Sequence, residues 1–117
     1  MIPPGTATEK QVVARVMALY RAVGCSVHST QQTRPSRQAI GLPDLWVMHP
    51  RIGGWWHEAK RLGGKQTTGQ RAFHFACEAA RVPYVLGGYD EAEAFLRQQG
   101  IAVLSGNAGP LLGLTGR

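Results

Sequence analysis

Two cysteines in 117 residues, Cys25 and Cys77, provide no disulfide framework, and at 52 positions apart they are not spaced as a metal-ligand pair. A zinc site is therefore not expected, and a reduced, cytoplasmic protein is. Apolar runs are short. None approaches the roughly 18 residues of a membrane span, and the opening MIPPGTATEK has neither a basic region nor an apolar stretch, so no secretory signal is expected. Low-complexity tracts and internal repeats are absent. His28, His49, His57 and His74 form no ligand-spaced pair, and none is expected to be a catalyst. Arg61-Leu-Gly-Gly-Lys65 holds glycines and a lysine but lacks the order of a phosphate-binding P-loop. What remains is a globular composition, 44% hydrophobic and 17% charged. It is read as one domain over residues 1–117, long enough to bury a core without staples.

Acids are scarce too. Thirteen Lys+Arg against seven Asp+Glu leave a net charge of +6, and ten of the thirteen bases are arginine. The planar guanidinium fork grips phosphate bidentately, so the bias fits a phosphate-rich partner, although a solvated basic surface accounts for it equally well. Arg34, Arg37, Arg51, Lys60, Arg61, Lys65 and Arg71 all fall between positions 34 and 71, around the middle of the chain.

Thr6-Ala7-Thr8-Glu9 has capping-box spacing, with Thr6 as N-cap and Glu9 three residues on. The stripe Val12, Val13, Val16, Leu19 or Tyr20, and Val23 predicts a helix that Gly24 ends. Glu9 either caps this helix or points with its buried stripe. Strands are predicted over 25–30, 45–49, 55–60 and 83–86. The third carries Trp56, Glu58 and Lys60 on one face and Trp55, His57 and Ala59 on the other. A second helix should begin near Thr67 or Thr68 and run to about Arg81, with Phe73, Ala76, Cys77 and Ala80 inward. Asp90 should cap a third, to about Gln99. Residues 101–104 and 111–114 read either as a last strand with a tail or as a docking segment. The order is α-β-β-β-α-β-α, a small mixed sheet flanked by helices.

The chemistry concentrates at Glu58-Ala59-Lys60. Three lysines and seven acids in 117 positions yield about 0.2 acid-x-Lys triplets by chance, so the triplet alone is a modest signal. Its context strengthens it. Pro43-Asp44 stands at the start of the preceding strand, and an inward polar residue follows in the next helix. Two carboxylates, Asp44 and Glu58, can hold a divalent cation beside the Lys60 amine, an arrangement suited to metal-dependent phosphodiester hydrolysis. The alternative is an exposed ion pair worth under about 1 kcal/mol. Trp55-Trp56 just upstream argues for a buried strand, where charges need a reason. These tryptophans are read as core rather than as base-stacking platforms. Arg34, Arg37, Arg61, Lys65 and Arg71 are candidate phosphate contacts.

Glu9, GLPDLWV at 41–47, WWHEAK at 55–60 and Gln70 together resemble the VRR-NUC family. This is a branch of the PD-(D/E)XK nuclease superfamily related to archaeal Holliday-junction resolvases, and the likeness is to its small stand-alone phage and bacterial members. It covers about residues 6–97 and implies a restriction-endonuclease-like αβββαβ core. By resemblance, Asp44, Glu58 and the Ala59 carbonyl would coordinate Mg²⁺ or Mn²⁺. Lys60 would orient or activate the attacking water, Gln70 would bond water or Lys60, and Glu9 would bind the metal directly or through water. The resemblance further implies a DNA endonuclease, selective for branched, flap or Holliday-junction DNA, acting as a homodimer in a bacterial or phage-infected cell. A noncatalytic nucleic-acid-binding subunit of the same fold is the competing class, and RNA is the competing substrate.

Overall fold

Thr8 and Gln11 decide where the chain first coils. The Thr8 hydroxyl accepts the Gln11 N–H (3.1 Å) while the Gln11 amide oxygen accepts the Thr8 N–H (2.8 Å). Helix α1 then runs Glu9–Ala22 in the structure, a computed structural model that describes residues 7–30 and 41–104. The box thus closes two residues later than the expected Thr6–Glu9 pair, and Thr6 lies outside the described residues. Both pairs have the same spacing. Glutamine closes the observed one, which leaves Glu9 as the first helical residue with its carboxylate uncommitted to the cap. Gly24, at φ +93°, ends the helix: its N–H bonds the Arg21 carbonyl (3.1 Å) and the Cys25 N–H bonds that of Tyr20 (3.0 Å).

Strands β1 (Ser26–Ser29), β2 (Leu45–His49) and β3 (Gly53–Ala59) follow, then α2 (Thr68–Ala79), β4 (Tyr84–Gly87) and α3 (Tyr89–Gln98). This is the element order expected from the sequence. The four-stranded sheet is ordered β1-β2-β3-β4, antiparallel for the first two pairings and parallel between β3 and β4. Trp46 faces Trp56 and Val47 faces Trp55 across β2 and β3. The period-two alternation of β3 therefore serves two packed layers. Toward α1 and α3, the Trp55 ring meets Tyr20 (5.5 Å between centroids) and Phe95 (4.9 Å). Leu45, Val47 and Leu96 are fully buried in the same core, each worth about 1.5–3 kcal/mol of burial. Toward α2, Trp56 packs on Trp46 (4.8 Å) and Phe73 (5.5 Å).

Helix α2 covers less than its periodicity promised. Phe73 and Cys77 turn inward, but Ala76 and Ala80 are exposed, as is Phe75. Helix α3 is capped by Gly88 rather than Asp90. The Glu91 carboxylate accepts the Gly88 N–H (2.8 Å), and Asp90 falls inside the first turn, where its charge complements the helix dipole. Residues 101–104 form no strand, yet Ile101 and Val103 are buried in the core. Residues 111–114 lie outside the described residues. Among the described residues no helix is long and apolar enough to cross a membrane.

Arg81 ends α2 in the left-handed region, φ 61°, where its N–H bonds the Glu78 carbonyl and the Val82 N–H bonds that of Cys77 (2.8 Å). This is the closure glycine makes after α1, made here by a side chain that clashes in that conformation. Arg81→Gly should therefore stabilise the protein by about 0.5–1 kcal/mol after the added freedom of the unfolded chain is deducted. Urea unfolding of the two proteins checks it. A loss of stability would mean that the arginine charge at the helix end outweighs the strain.

Candidate active site

Charge is buried where β2 begins and β3 ends. Asp44 precedes β2, and its position is fixed from behind. Thr30 donates its N–H to the Asp44 carbonyl (2.9 Å) and its hydroxyl to the Pro43 carbonyl (2.6 Å), with Pro43 fully buried. Ahead of it, Gly41 (φ +89°) passes so close to the start of α2 that a Cβ there would lie 2.3 Å from the Gly69 carbonyl oxygen. Only glycine permits that approach. The Asp44 carboxylate then accepts the Ala59 N–H (2.8 Å), replacing the strand neighbour that β2 no longer supplies.

Glu58 lies on the α2 face of β3 and is wholly buried. One carboxylate oxygen, Oε1, accepts from the Tyr84 hydroxyl and from the Gln66 amide (3.1 Å). The other, Oε2, is buried with no hydrogen-bond partner, 3.4 Å from the Lys60 ammonium. Lys60 Nζ also stands 3.8 Å from the Glu9 carboxylate, so α1 delivers its first residue to the end of β3. Two carboxylates pair with one ammonium, whose charge also reaches Asp44. Burial foremost, and then the negative charges of Glu9 and Glu58, push the Asp44 carboxyl above its ordinary range, against the Ala59 hydrogen bond and the Lys60 charge. Added positive charge would relieve that repulsion.

The structure thus brings Asp44, Glu58, Lys60 and Glu9 together around the Ala59 backbone. Gln70 is engaged at the start of α2. It occupies the third position of α2, where its amide oxygen accepts the Thr67 N–H (2.8 Å) and its own N–H bonds the Thr67 hydroxyl. The Thr-x-x-Gln spacing makes it half of a capping box, so its amide oxygen is taken by Thr67 and not by Lys60, one of the two partners expected for it beside water. Gln66, four residues earlier, reaches Glu58 instead, and its amide is also 3.3 Å from His74 Nδ1. Arg34 and Arg37 lie outside the described residues. Arg61 and Lys65 are exposed in the loop after β3. Arg71 is exposed as well, but its guanidinium bonds the Gln66 carbonyl (2.9 Å) and the Thr68 hydroxyl (3.3 Å), bracing that loop.

Two contributors escaped the sequence reading, Tyr84 and Gln66. Tyr84 stacks on His74 at 3.9 Å and 9°, and burial together with its bond to Glu58 keeps the phenol protonated, so that it donates to Glu58 while its oxygen accepts from the Gln66 amide (3.4 Å). A tyrosine in a short apolar strand needs a partner for its hydroxyl, and that was the available signal. Gln66 gave none, being one polar residue in a polar loop. On the opposite face, buried His57 takes the Tyr20 hydroxyl at Nδ1 (2.6 Å) and bonds the Gly87 carbonyl through Nε2 (3.0 Å). Burial drops the ring's pKa to about 4, so it is neutral, with the proton on Nε2. The same Gly87 carbonyl accepts the Lys60 N–H (3.2 Å), tying the end of β3 to β4.

A mixed sheet with helices on both faces and acids at one end of its central strands is a restriction-endonuclease-like α/β fold. Within that class, the chain is similar to a solved structure described as a VRR_NUC domain, with a TM-score of 0.62 and 23% sequence identity over 79% of this chain and 97% of that one. The protein has the fold of that domain. No family model and no curated protein matches the chain.

Proposed function

We propose that this protein is a metal-dependent endonuclease of the VRR-NUC family that hydrolyses DNA phosphodiester bonds, with a preference for branched, flap or four-way-junction DNA. The observation that carries the reading is the buried, unbonded Oε2 of Glu58 beside the Lys60 ammonium, with Asp44 anchored one strand away on the Ala59 N–H. An unsatisfied buried carboxylate oxygen is costly unless a ligand uses it. Among the described residues no group of three His, Cys, Asp or Glu side chains is placed to hold a metal ion by itself. The donor set we propose is the carboxylates of Asp44 and Glu58 with the Ala59 carbonyl, hard oxygens that suit Mg²⁺ or Mn²⁺. Once bound there, a divalent cation supplies Lewis-acid polarisation of the scissile phosphate and a more acidic water.

The chain's own groups do the rest. Tyr84 and Gln66 hold Glu58 by one oxygen and so aim the other. The Ala59 N–H holds Asp44. The Lys60 ammonium offsets the charge that builds on the phosphoryl oxygens and orients the attacking water. Arg61 and Lys65 hold neighbouring phosphates, which position the backbone without reading its sequence. A homodimer would present two such sites for paired cuts across a junction.

Labelled linear, flap and four-way-junction DNA, incubated with Mg²⁺, Mn²⁺ or EDTA, tests the proposal. EDTA-sensitive cutting that favours the branched substrates is the expected result. Binding with no cutting under any metal would replace it with a noncatalytic DNA-binding role.

A further inference from the structure

Lys60 also lines a second space, a cavity of about 440 Å³ between the start of α1, the loop at residues 61–64 and the turn from β4 into α3. Neither Asp44 nor Glu58 borders it. Part of its lining is apolar, from Val12, Leu62 and Leu86, and part is cationic, from Arg15, Lys60 and Arg61. Two acids, Asp90 and Glu91, also reach it, but Glu91 is engaged as the cap on the Gly88 N–H. The Arg15 guanidinium lies over the Tyr89 ring, 5.2 Å from its centroid, and both residues line the cavity. A flat cation braced on an aromatic ring offers its free face to another flat π-system. Leu62, 74% exposed, leaves an apolar side chain at the rim that no described residue covers.

A ligand suited to this lining is planar and apolar at one end and anionic at the other. The volume lies within the roughly 300–1,000 Å³ of pockets that enclose a small molecule. A base within a duplex is stacked and paired and cannot enter such a cavity. An unpaired or extruded one can. We infer that this cavity binds a single unpaired nucleotide, its base stacked on the Arg15–Tyr89 pair and its phosphate held by Arg61. In its cleavage consequence the inference rests on the nuclease reading: a substrate with an unpaired nucleotide beside the cut phosphate would be held in place by this pocket, and a continuous duplex would not.

The binding itself needs no cleavage to be seen. Deoxyadenosine monophosphate and base-free deoxyribose 5-phosphate, titrated into ¹⁵N-labelled protein, should give different results. The nucleotide should shift the amide signals of Arg15, Leu62 and Tyr89 and bind at least about tenfold more tightly than the sugar phosphate. Arg15→Gln and Tyr89→Leu should each weaken it about tenfold, the leucine keeping an apolar side chain against the core. In cleavage assays Arg15→Gln should reduce the preference for flap over nicked duplex by about tenfold and leave duplex cutting unchanged. Equal affinity for the two ligands, shifts confined to β2 and β3, or variants that bind as the parent does would each overturn the pocket. Nucleotide binding lost in Arg15→Gln, in a protein that cuts no DNA, would keep the pocket and remove the nuclease reading.

Discussion

Lys60→Ala is expected to slow metal-dependent DNA cleavage about a thousandfold, the order found when one preorganised donor to a developing anion is removed. Its side chain is only 13% exposed and its ammonium lies among the carboxylates of Glu58 and Glu9, where water screens it little. DNA affinity should change by only about threefold, because one cation among several phosphate contacts is lost. The same substitution strips the counter-charge from a fully buried Glu58 and should cost about 3 kcal/mol of stability. Asp44→Asn separates the two effects. The asparagine carbonyl can still accept the Ala59 N–H that Asp44 accepts now, so the local geometry survives while the negative charge does not. Single-turnover cleavage and equilibrium binding, measured on both variants after their folding is checked by circular dichroism, decide the matter. Full activity in either folded variant would remove that residue from the proposed site.

How far the sequence exposed this site depended on the range of the interactions involved. β2 was legible to the residue because Pro43-Asp44 and Pro50 bound an apolar run too short for anything else. β3 was legible in its faces but not its ends, for it starts two residues before Trp55 and stops at Ala59, leaving Lys60 just beyond it. Gly53 and Gly54 continue the strand without side chains to mark the alternation, and Gly54 is held to glycine by the Trp46 ring, 2.4 Å from where a Cβ would stand. Two capping pairs competed at the first helix with identical spacing. Glu9 ends up near Lys60, fifty-one residues along the chain, a contact that no local pattern encodes.

The same reasoning explains the two glutamines. Periodicity placed Gln70 inward, and it does sit half-buried, but the orphan N–H at the start of α2 claims its side chain first. Gln66 reaches Glu58 only because the loop folds back, with the Arg71 guanidinium on its carbonyl. Likewise Ala76 and Ala80 read as an inward stripe, yet α2 covers only part of a sheet whose fourth strand is four residues long. Their exposure is set by the width of the sheet, which local periodicity does not contain.

Acid should weaken the fold through a group outside the site. His57 is buried neutral between Tyr20 and Gly87, with a pKa of about 4 against an ordinary 6.5. Between those two pH values the unfolded chain holds a proton at this ring that the folded chain does not, so stability falls as pH falls. The full span corresponds to about 3 kcal/mol, present above pH 6.5 and lost by pH 4. Asp44 acts in the opposite sense. Its raised pKa lets the folded state hold a proton that the unfolded state releases, so it adds stability as pH falls toward its unfolded value. His57→Gln isolates the ring, because Asp44 and every other titration are common to both proteins. Urea unfolding at pH 7, 6, 5 and 4 should show the parent losing about 3 kcal/mol more than the variant across the series. Parallel losses would mean that His57 is protonated in the fold. In that case the Gly87 carbonyl, which also holds the Lys60 N–H, would anchor an imidazolium rather than a neutral ring.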